Sequence, residues 1–84
     1  MRTKQLIRGL NNNQKILVVL NDIGFVTTVK YVFEMPYPNH QIVIQNVLEE
    51  MADKESNTIN TQVVLEMEEQ PDEIFSVQIE LLPE

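Results

Sequence analysis

The chain has 84 residues, 43% of them hydrophobic, no cysteine, and a formal net charge of −7. That length is one domain near the lower end of what a single core holds together. Without cysteine, neither disulfides nor cysteine-based zinc sites can supplement the core. No apolar run approaches the roughly 20 residues that span a bilayer, and the basic N-terminus has too short an apolar stretch for a signal peptide. The expectation is a soluble, cytoplasmic protein with no membrane contact.

The charge is divided unevenly. Residues 1–42 hold five cations (Arg2, Lys4, Arg8, Lys15, Lys30) against Asp22 and Glu34, a net of +3. Residues 43–84 hold Lys54 against eleven acids, a net of −10. Charge of this size serves solubility; its concentration in one half points to an interaction surface.

Residues 3–10 read as a short helix. Thr3 is its N-cap, Leu6, Ile7 and Leu10 share a face, and the asparagines at 11–13 end it. Its cations lie off the apolar stripe, as on a solvated face. Residues 15–20, KILVVL, read as a strand apolar on both faces, with Ile16, Val18 and Leu20 on one and Leu17 and Val19 on the other. Such strands are central and covered on both sides. Asn21 to Gly24 supply a turn, with Gly24 as the residue for positive φ.

Residues 25–35 read as a long second strand. Phe25, Val29, Tyr31, Phe33 and Met35 face the core. Val26, Thr28, Lys30, Val32 and Glu34 form an amphipathic face. Pro36 and Pro38 stop the strand, since neither donates to a ladder, and Tyr37, Asn39 and His40 fall in a proline-rich loop. Residues 41–45 read as a third strand with Ile42 and Ile44 inward. Asn46, with Glu49 three residues on, resembles a capping box opening a helix that runs to about Lys54. Val47, Leu48, Met51 and Ala52 form its apolar stripe, and Glu49, Glu50 and Asp53 point outward. After a polar linker, residues 61–68 and 74–82 alternate as a hairpin, with Val63, Leu65, Met67, Phe75, Val77, Ile79 and Leu81 on its core face.

The expected architecture is therefore α+β, a small, mostly antiparallel sheet of about five strands with two short helices in the order α-β-β-β-α-β-β. The 15–35 hairpin is expected at the middle of the sheet. Its two-sided apolar strands are expected to need a second copy, with Leu17, Val19, Val26 and Val32 as the candidate seam of a homodimer.

Catalytic motifs are missing. With two glycines there is no phosphate-binding loop, and neither Ser56 nor Ser76 stands in a nucleophile motif. His40, the sole histidine, has no cysteine or spaced carboxylate to share a metal. The acids lack calcium-loop spacing. No enzyme activity, metal or cofactor is expected. The opening order helix–strand–strand–strand–helix is shared with double-stranded-RNA-binding domains, which need a basic second helix. Here that helix carries Glu49, Glu50 and Asp53, which excludes direct nucleic-acid binding.

Two functions remain. The first is an acidic protein-interaction module whose carboxylates imitate the phosphates of duplex DNA. It would bind a basic DNA-binding protein such as a nucleoid protein, nuclease or polymerase, as small inhibitors encoded by phages and mobile elements do. Its surface would comprise Glu49, Glu50, Asp53, Glu66, Glu68, Glu69, Asp72, Glu73 and Glu80, the C-terminal hairpin's acids converging on one end of a flat sheet face. The second is a structural homodimeric subunit of a larger assembly, such as a phage particle, with no inhibitory role.

Overall fold

In the computed structural model, which describes residues 12–66, 68 and 71–83, the first apolar run forms strand β1 (Lys15–Leu20), within the bounds its alternation implies. Strand β2 (Ile23–Thr28) pairs with it antiparallel, Leu20 opposite Ile23 and Lys15 opposite Thr28. Only Asn21 and Asp22 separate the strands, at φ 50° and 70°. Two consecutive left-handed residues make the primed turn that matches strand twist, and asparagine and aspartate are the non-glycine residues that best tolerate it. Gly24 is therefore not the turn residue. It lies in β2 opposite Val19, and a Cβ there would meet Val19 at an ordinary 3.7 Å.

The long second strand is overturned by one hydroxyl. Thr28 Oγ1 accepts a hydrogen bond from the Tyr31 N–H at 3.2 Å, capping a single helical turn, α1 (Val29–Val32). Val29 and Val32, three apart, then both turn into the core.

The third strand expected at residues 41–45 is also helical. Pro38 opens helix α2 (Pro38–Lys54), where a residue with no N–H is favoured because the first turn leaves its donors unpaired. Asn46 is thus mid-helix and exposed, not a cap. The run Ile42-Val43-Ile44 suits strand or helix by composition. Burial decides: Val43, Ile44, Val47, Leu48 and Met51 are buried, a 3.6-residue period, and Ile42 is 44% exposed. Gln41 Nε2 donates to the Phe33 carbonyl at 2.9 Å, tying α2 to the end of α1. Glu55 closes α2 in the left-handed conformation, φ 52°.

Strands β3 (Thr58–Leu65) and β4 (Glu73–Leu81) form the second hairpin, beginning three residues earlier than the linker suggested. The two hairpins join through β1 and β4, giving a four-stranded antiparallel sheet in the order β2-β1-β4-β3. The described architecture is α+β with the order β-β-α-α-β-β. The helix expected at residues 3–10 lies outside the described residues, as do Met67 and Glu69. The 15–35 hairpin is only half central: β1 lies inside the sheet and β2 at its edge.

Helix α2 covers one face of the sheet. Beneath it Ile16, Val18 and Leu20 of β1 meet Phe75, Val77 and Ile79 of β4, all buried. Each such side chain contributes about 1.5–3 kcal/mol by leaving water. The register places Leu17, Val19 and Val26 on the opposite face with Thr58, Asn60, Gln62, Val64, Ile74, Ser76, Gln78 and Glu80. Leu17 and Val19 there are only half-buried. Among the described residues, no helix is long and apolar enough to cross a membrane.

Candidate functional site

The carboxylates do not form one sheet face. Within the two strands, the open face of the β3–β4 hairpin carries hydroxyl and amide side chains and the exposed Val64 and Ile74, with Glu80 as its acid, half-buried between Leu17 and Thr58 in the ladder. Glu80 stands seven positions along β4 from Glu73, about 23 Å of extended chain. The expected convergence of Glu80 with the other hairpin acids is therefore corrected: it stands at the opposite end of its strand.

The other described acids expected in the surface follow the β3 side of the molecule, whereas Asp22 lies in the β1–β2 turn and Glu34 just past α1. Glu49, Glu50 and Asp53 on α2 form one wall of an open groove of about 420 Å³, with Thr61, Gln62 and Val63 of β3 as the other. A short connection of three residues, 55–57, joins α2 to the edge strand β3, and the outward acids of the helix lie beside that edge. Beyond the groove, Glu66 follows β3, Glu73 begins β4 opposite Leu65, and Glu68 and Asp72 lie between them, all four exposed. Lys54, the cation of this half, reaches Glu50 Oε1 at 3.3 Å across one helical turn. With both side chains well exposed, that pair is worth little and leaves the edge strongly acidic.

The β2 side has the opposite character. Ile23, Phe25, Tyr31, Met35, Tyr37 and His40 line a groove of about 340 Å³ with Leu20 and Asn21. Ile23 is 71% exposed and Tyr37 60%. His40 is not in a surface loop, as the sequence suggested, but on the first turn of α2 and half-buried. Its ring lies 5.7 Å from those of both Tyr37 and Phe75, edge-on to the latter at 84°. No carboxylate, serine or lysine shares the groove lining. Its lining is mainly apolar and aromatic, with Asn21, His40 and the two tyrosines as its polar groups. Among the described residues no three histidine or acidic side chains gather to hold a metal.

Of the candidate seam residues, Leu17, Val19 and Val26 do share the open face, with Leu17 paired directly to Val26. Val32 does not. It is fully buried in α1 against its own chain, so it is withdrawn from any seam.

Sequence reasoning missed the apolar groove because it took residues 29–35 as strand. The available signal was Tyr31 and Tyr37, two amphipathic aromatics flanking Pro36. No protein-family model, characterised protein or solved structure matches the chain.

Proposed function

We propose that this protein is a small acidic interaction module that binds a basic protein partner through its β3 side. The observation behind the reading is the segregation of Glu49, Glu50 and Asp53 along one sheet edge, continued by Glu66, Glu68, Asp72 and Glu73 at the hairpin tip. Carboxylates on a rigid helix and strand pair are held in fixed spacing, so a cationic groove meets them with little ordering cost. The partner chemistry that fits best is a surface built for phosphates, as on a DNA-binding protein. The protein would then act as an inhibitor, occupying that surface in place of duplex DNA, in the manner of acidic inhibitors from phages and mobile elements. Glu80, on the open face, falls outside the proposed contact.

The test is binding of the purified protein to basic DNA-binding proteins at low and high salt, with duplex DNA as competitor. Binding should fall steeply with salt and be displaced by DNA. Salt-independent binding, or binding that duplex DNA leaves untouched, overturns the reading.

A further inference from the structure

The β2 edge supports an inference that stands apart from the acidic surface and does not depend on it. In the two-residue hairpin, Leu20 and Ile23 flank the turn as a hydrogen-bonded pair. Alternation then turns the main-chain groups of Ile23, Phe25 and Thr27 toward β1. The bonds at the other end agree: Val29 N–H donates to the Gln14 carbonyl at 3.1 Å, in phase with Thr27 and Phe25. Gly24, Val26 and Thr28 therefore direct their N–H groups away from β1, on a strand that among the described residues pairs on one side only.

Exposed edges of this kind are normally blunted by charge, proline or a bulge. Strand β2, IGFVTT, has no charge and no proline, and its pairing with β1 is unbroken. Ile23 and Val26 are 71% and 60% exposed. At its two ends lie opposite charges, Asp22 before the strand and Lys30 after it, both exposed.

We propose that β2 pairs antiparallel with β2 of a second copy of this chain, with Val26 on the twofold axis. Residues opposite one another in a sheet share a face, so a twofold axis normal to the sheet falls on a residue position, never between two. Val26 is the centre of the outward set Gly24, Val26 and Thr28. In that register Val26 exchanges both its main-chain bonds with its mate, and each Thr28 N–H meets the Gly24 carbonyl of the other copy. Asp22, in the turn before the strand, and the mate's Lys30, in the helical turn after it, come to the same end of the pairing, an attraction repeated by symmetry. The α1 turn follows Thr28 directly, so the α1 turn of each copy comes beside Ile23 and the apolar groove of the other. Charge also selects this edge over the other. Pairing through β3 would set two rows of Glu49, Glu50 and Asp53 beside each other, whereas pairing through β2 holds them at the far ends of one continuous sheet.

Light scattering coupled to gel filtration tests this. The full chain should elute at about twice its 9.8 kDa mass and dissociate on dilution. Val26→Pro removes the N–H on the axis while leaving β1 pairing intact, and it should weaken the dimer at least roughly tenfold. Lys30→Glu should weaken it in a salt-dependent way. Gln62→Lys on the β3 edge should leave it unchanged. Amide exchange of the wild-type chain gives a measurement free of variants: Gly24, Val26 and Thr28 should be protected at high concentration and exchange freely on dilution. A chain that stays at 9.8 kDa at high micromolar concentration overturns the proposal, as does a dimer insensitive to Val26→Pro but broken by Leu17→Glu on the open face. Failure of basic-partner binding with an intact dimer removes only the acidic-surface reading.

Discussion

Asn21 is bonded to Ser76 through both its main chain and its side chain. Its N–H donates to the Ser76 carbonyl and its Oδ1 accepts from the Ser76 N–H, each at 2.9 Å. At φ 50° the chain has already turned away from β4, so the side-chain carbonyl supplies the acceptor that the main chain would have supplied in a longer strand. One residue thus turns the first hairpin and lengthens the ladder between the two hairpins.

Asn21→Gly and Asn21→Ala separate those roles. Glycine accepts the left-handed conformation and loses only the side-chain bond, an expected cost of about 1 kcal/mol. Alanine loses the bond and strains the backbone as well, for about 2–3 kcal/mol in all. Urea unfolding monitored by circular dichroism checks the order. Equal losses for the two variants would show that the conformation carries no strain.

His40 and Phe75 join the first turn of α2 to the core strand β4. An edge-to-face pair of this kind adds about 0.5–1.5 kcal/mol beyond its buried area. His40→Leu keeps the apolar body and loses the ring, so a loss in that range is expected. Phe75→Ala empties a fully buried position and should cost about 3–5 kcal/mol, enough to threaten a fold of this size. Thermal unfolding of both variants measures the difference.

Thr28 decides where β2 ends. Thr28→Ala removes the cap on the Tyr31 N–H and should cost about 1 kcal/mol. Thr28→Ser, which keeps the hydroxyl, should recover most of it. Equal stability of the two variants would show that burial of Val29 and Val32, not the cap, sets the strand-to-helix switch.

The acidic surface is tested by where charge reversal matters. Glu49→Lys with Asp53→Lys should abolish basic-partner binding, and Glu66→Lys with Glu73→Lys should weaken it. Glu80→Lys, on the open sheet face, should leave it within about twofold, a difference of roughly 0.4 kcal/mol. Binding assays at low salt rank the three. Loss of binding with Glu80→Lys alone would move the contact to the open face.

The sequence alone was enough for the elements whose period admits one reading. Strand β1, the core faces of β3 and β4, the apolar stripe from Val47 to Met51 and the acidic character of the second half all follow from alternation, 3.6-residue spacing or charge counting. Residues 29–45 were not legible. Their β-branched residues fit strand or helix equally, and the choice rested on a cap at Thr28, a proline at the first position of α2 and the burial of Val32 and Val43 beneath the sheet. Only the tertiary structure could distribute the acids. Sequence places Glu80 among its hairpin neighbours, but strand direction carries it to the far end of β4, while the packing of α2 beside β3 brings Glu49, Glu50 and Asp53 to that edge. The apolar groove likewise exists only because α1 folds the chain back beside β2, bringing Tyr31 and Tyr37 to Ile23. Local periodicity records what each residue prefers as a neighbour, and which neighbours it receives depends on contacts distant in the chain.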